Sequence, residues 1–94
     1  MKTGIELIAT ERAEQIDKHG RTLGKDLHYN KKFQLAIAAS ILSQPDIFNP
    51  DGFDKCPQGW DINIWQKMCS KGYHDRLIIA GALIAAEIDR LQNS

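Results

Sequence analysis

Residues 75–92 read DRLIIAGALIAAEIDRLQ. The ten positions from Leu77 to Ala86 carry no polar side chain, and charge returns only at Glu87, Asp89 and Arg90. Eighteen residues without proline, bounded by charges, predict a helix. Ten apolar residues are about half of a membrane span, so the segment reads as a buried helix rather than a transmembrane one. Gly81 lies inside it among Ala80, Ala82, Ala85 and Ala86. Glycine within a helix costs about 1 kcal/mol relative to alanine. Its presence beside small residues predicts a second backbone packed close by.

The same all-α reading extends towards the N-terminus. In residues 30–44, NKKFQLAIAASILSQ, apolar side chains cover nearly the whole circumference, Asn30 is a candidate N-cap, and Pro45 ends the helix. In the first twenty residues, Thr3 and Glu6 have capping-box spacing, and Ile5, Ile8, Ala9, Arg12, Ile16 and His19 fall on one helical face. Gly20 is the expected terminator. Arg12 lies on that apolar stripe, where a desolvated guanidinium must find an acceptor. An ion pair with Glu87 or Asp89 is its plain structural explanation.

Residues 45–72 form a long connection with three prolines and both tryptophans. Within it, Asp61 can cap a short helix ending near Cys69. The expected fold is one all-α domain over residues 1–94, with three main helices and a long irregular connection. Two helices that are apolar all round exceed what so short a chain buries internally, so a helical-bundle homo-oligomer is expected.

The formal net charge is zero. It is unevenly spread: residues 18–32, KHGRTLGKDLHYNKK, carry +4, residues 67–76 carry +2, and the rest are acidic. A binder of nucleic-acid polymers would be basic throughout. Two basic islands suit a small anion instead. The candidate ligand-binding set is Arg12, Gln15, His19, Gly20, Arg21, Thr22, Lys25, Asp26, Tyr29, Trp60, Trp65, Lys67 and Arg76. Arg12, Arg21, Lys25 and Arg76 offer donors to phosphate. Tyr29, Trp60 and Trp65 offer ring faces to a base, and Gln15, Thr22 and Asp26 offer neutral or acceptor groups to ribose or base edges. Lys71 and His74 extend the second island.

There is no phosphate-binding glycine loop, dinucleotide fingerprint or serine nucleophile elbow. No catalytic residue and no cofactor is expected. Cys56 and Cys69, thirteen residues apart, read as reduced, structurally incidental thiols. No signal peptide is evident, and the host cytoplasm is the expected location.

TGIELIATERAEQIDKHGRT, LAIAAS, WDINIWQKM and LIIAGALIAAEIDRL together resemble a set of small phage and prophage proteins with the patterns ERxxQI…G(W/R)T and AGALIxAEIxRL. Some members of that set carry a dATP/dGTP pyrophosphohydrolase label. The resemblance marks Arg12, Gln15, Gly20, Thr22, Asp26, Trp60, Trp65, Lys67, Arg76 and Glu87. All-α nucleoside triphosphate pyrophosphohydrolases gather metal-binding carboxylates as EExxE and ExxD; this chain has ERAE and AEID. A divergent metal-dependent hydrolase would use Glu11, Glu14 and Glu87. In size, assembly and cation content the chain is also similar, as a class, to phage sponges, which hold host immune signals such as cyclic nucleotides or ADP-ribose derivatives without cleaving them. Sequestration of a phosphorylated, nucleotide-derived ligand is the leading expectation. Hydrolysis, or docking of a host protein on residues 45–72, are the alternatives.

Overall fold

The computed structural model describes residues 1–19, 33–45 and 55–93, and all regular elements among them are α-helices. They are α1, Gly4–His19; α2, Gln34–Leu42; α3, Ile62–Cys69; and α4, Tyr73–Gln92. The all-α class follows, with four helices among the described residues. No helix among them is long and apolar enough to cross a membrane.

Local chemistry sets the helix starts. Thr3 and Glu6 form a reciprocal capping box: Thr3 N donates to Glu6 Oε1 at 3.1 Å, and Glu6 N to Thr3 Oγ1 at 3.2 Å. Asp61 caps α3 by accepting from Asn63 N at 2.8 Å and Ile64 N at 3.1 Å. α4 begins at Tyr73, two residues before the charge pattern suggests, behind extended Gly72. Asp75 lies in its first turn and Arg90 in its last, each at the end of the helix dipole that favours its sign.

α2 starts at Gln34, not near Asn30. Phe33 adopts φ 66°, ψ 23°, a left-handed conformation unusual for a bulky side chain, and breaks the helical path there. The Arg90 guanidinium sits 5.7 Å from the Phe33 ring centroid and holds this residue in place. The expected Asn30 cap and Gly20 terminator lie outside the described residues.

α4 is the central element, packed against α2 and α1 and touching α3. Leu35, Ala38, Ala39 and Leu42 of α2, Trp65 and Met68 of α3, and Ile79, Ala80, Leu83 and Ala86 of α4 form one core. α2 is less enclosed than its composition suggests, since Ala36, Ile37 and Ser40 face outward. The apolar surface of α4 also continues past the core: Leu77, Ile84, Ile88 and Leu91 remain 40–55% exposed.

At Gly81 the neighbour is the Ile8 side chain of α1, not the second backbone expected there. A β-carbon there would lie 2.5 Å from Ile8 Cδ1 and 2.8 Å from Ile8 Cγ1. Gly81→Ala therefore does not show the gain of about 1 kcal/mol usual in a helix interior. It lowers the melting temperature in thermal denaturation, whereas the same change in an Ile8→Ala background is neutral or stabilising. Equal effects in both backgrounds would exclude the clash.

Candidate functional site

The inner edge of α1 carries polar groups into a largely apolar contact. Arg12 is mostly buried, with Nη2 3.7 Å from Asp89 Oδ2 on α4. This is the ion pair across the bundle that its place on the stripe calls for, made with Asp89. One turn along, Gln15 is only 1% exposed. Its Nε2 donates to Glu11 Oε2 at 3.2 Å. An ionised carboxylate only accepts, so this bond fixes the amide with nitrogen towards Glu11 and oxygen away from it. Gln15 Oε1 is buried and receives no hydrogen bond from the described residues. A desolvated acceptor of this kind is destabilising until a donor reaches it.

Gln15 lines a hollow of about 280 Å³ between α1, α3 and α4. Glu11 and Glu14 border it from α1; Ile64, Lys67 and Met68 from α3; and Lys71 and Ile79 complete it. A second hollow, of about 320 Å³, shares Glu11, Glu14, Lys71 and Ile79 and extends along Leu7, Thr10, Asp75 and Ile78. Together they form a cleft with apolar walls, three carboxylates and two ammonium groups. Apolar walls with a few convergent polar groups are the usual form of a small-molecule site.

The sequence-predicted residues divide among several places. Gln15 and Lys67 meet in the hollow. Gly20, Arg21, Thr22, Lys25, Asp26 and Tyr29 lie outside the described residues, as does the His19 side chain. Arg76, expected to hold a phosphate, is instead buried at 3% exposure. It donates Nε to Lys71 O at 3.1 Å and Nη1 to Leu42 O at 3.2 Å and Gln44 O at 2.9 Å. Trp65, expected to offer a ring face, is fully enclosed in the core. Trp60 packs against it edge to face, with ring centroids 6.1 Å apart. Glu87, the third carboxylate of a metal set, is buried in a two-armed pair with Arg90: Oε1 accepts from Nε, and Oε2 from Nη2 at 3.1 Å. Among the described residues no three His, Cys, Asp or Glu side chains converge in a metal-binding group.

Of the charged residues lining the hollow, the sequence names Glu14 only as a metal ligand of the hydrolase alternative and Lys71 only as an extension of the second basic island. Taken one at a time, they read as solvated charges. The signal was Gln15, a neutral polar residue three positions after the buried arginine on the inner edge of an amphipathic helix.

Both cysteines are free thiols. Burial, reinforced by Cys56 and opposed by Arg76, pushes the Cys69 thiol up to about 11. Burial, with the Asp61 charge, also raises Cys56. A thiol with a raised pKa in the folded state stabilises the fold below the ordinary thiol range, and that contribution is lost as pH rises. For Cys69 the loss falls between about pH 9 and pH 11. Denaturation midpoints measured across this window decline less in Cys69→Ala than in the parent.

No family model, curated protein or solved structure matches the chain.

Proposed function

We propose that this protein is a homo-oligomer that binds a small phosphorylated, nucleotide-like ligand and holds it without cleaving it. The observation that carries this reading is one hollow that pairs the apolar side chains Ile64, Met68 and Ile79 with two ammonium groups, Lys67 and Lys71. A nucleotide supplies both complements: an apolar base face for the walls and phosphate for the lysines. The resemblance to small phage proteins makes the cargo a host signal, of cyclic-nucleotide or ADP-ribose type, taken up in the host cytoplasm. The exposed row Leu77, Ile84, Ile88 and Leu91 on α4 supports association, because an apolar row of this length on one helix is the kind of surface that a second subunit covers.

Glu11 and Glu14 on the rim favour one second reading, metal-dependent hydrolysis of the same ligand class. Against it stands Glu87, already engaged by Arg90 and absent from the hollow's lining. Mass spectrometry of small molecules released by heat from protein purified out of cells making candidate messengers separates these outcomes. Intact nucleotide is the expected result. Nucleoside monophosphate formed on incubation with nucleoside triphosphate and magnesium would establish hydrolysis instead. Release of no nucleotide from any source, with no binding to added nucleotide, would contradict both readings.

A further inference from the structure

Resting on the nucleotide reading, we infer that the cleft takes a ligand with two nucleoside-like halves joined through phosphate, one half in each hollow. The two hollows are adjoining lobes with a common wall: Glu11, Glu14, Lys71 and Ile79 line both. Each lobe adds its own apolar pair, Ile64 and Met68 in the first, Leu7 and Ile78 in the second. Their volumes are nearly equal, about 280 and 320 Å³. Each is therefore at the small end of the roughly 300–1,000 Å³ typical of small-molecule sites. One lobe suits one ring system with its sugar, and a ligand that fills both carries two.

Charge places the joint between the halves. Lys71 is the cation of the shared wall, and Lys67 lines the first lobe only. Phosphate held between the two halves meets Lys71 whichever lobe each half enters. Beyond Lys71, the described residues of the second lobe include no cation, and Asp75 stands there instead. That end of the cleft suits an uncharged sugar and ring rather than a terminal phosphate. The balance of charge points the same way, since three carboxylates border the cleft against two ammonium groups. A terminal phosphate brings about −1.5 to −2 at pH 7, and a polyphosphate chain brings more. A phosphate esterified on both sides, in a linear bridge or a cyclic diester, brings one negative charge per phosphorus. Two lysines match a bridge of two such phosphates.

Isothermal titration of the full chain tests this with one base throughout and at one fixed ionic strength. The probes are guanosine 5′-monophosphate, guanosine 5′-diphosphate, diguanosine 5′,5′-pyrophosphate and cyclic diguanylate. The diphosphate controls for the added phosphate, and the last two distinguish a linear bridge from a cyclic one. The expected result is that at least one of the two-nucleoside compounds binds tighter than both mononucleotides by roughly tenfold or more, the gain that linking two bound halves provides. Lys71→Ala weakens every compound. Thr10→Trp, at an exposed position lining the second lobe, fills that lobe and brings the two-nucleoside compound down to the monophosphate level. Circular dichroism of this variant verifies that its helices are intact. Mononucleotides binding as tightly as both two-nucleoside compounds would overturn the two-lobed site and leave the nucleotide reading standing. A gain that survives Thr10→Trp in the folded chain would do the same, because the second half would then lie outside the second hollow. Binding of no nucleotide would overturn both readings together.

Discussion

Arg76→Met is expected to lower the unfolding free energy by about 3 kcal/mol or more. For a chain of this size that is a drop in melting temperature of roughly 12 °C or more. The reason is the place of one guanidinium. Leu42 O and Gln44 O are carbonyls at and just beyond the end of α2, and Lys71 O follows the end of α3; all three accept from Arg76. The last carbonyls of a helix have no intrahelical donor and carry the negative end of its dipole. A single buried cation therefore closes two helix ends and ties both to α4. Methionine keeps much of the stem's packing but leaves those carbonyls in a site with little water. Arg76→Lys, with one compact ammonium in place of a planar fork, recovers only part of the loss. Thermal and urea denaturation followed by circular dichroism measure both variants. A change below about 1 kcal/mol would mean that water replaces the guanidinium at little cost.

Trp65→Ala carries the second large effect, about 3–5 kcal/mol. The indole is fully enclosed, packs edge to face with Trp60, and anchors α3 to the core that α2 and α4 share. Against the 5–15 kcal/mol typical of a folded domain, either substitution removes a large share of stability. Trp65→Phe refills part of the volume and is expected to cost less. Because Trp65 is enclosed, its substitution is expected to change nucleotide affinity only as far as the folded population changes. Binding corrected for that population is the check.

These two residues show where sequence reading reaches its limit. Arg76 and Trp65 are residue types that serve ligands as readily as cores, and nothing local separates the two uses. What separates them here is long-range: Leu42 and Gln44 meet Arg76 across more than thirty positions of chain. Features governed by near neighbours were legible. The Thr3–Glu6 capping box, the Asp61 cap and the cross-bundle pairing of Arg12 all follow from spacing within a helix or from its amphipathic pattern, whereas the space over Gly81 is taken by the Ile8 side chain and not by the expected backbone. The late start of α2 was not legible, since it depends on Phe33 adopting a left-handed conformation beneath Arg90. Of the ligand set, Gln15 and Lys67 converge in the hollow. Glu14 and Lys71 join them only because α1 and the α3–α4 junction meet side by side.

An amide-resolved NMR titration with guanosine 5′-monophosphate tests the central claim most directly, that the ligand enters between α1 and the α3–α4 junction. The predicted result is saturable shifts of the Gln15 side-chain amide and of backbone amides over residues 11–15 and 64–71, with the Trp65 indole N–H little changed. Saturable shifts that spare Gln15 and both lysines, or no shifts at millimolar nucleotide, would contradict the account.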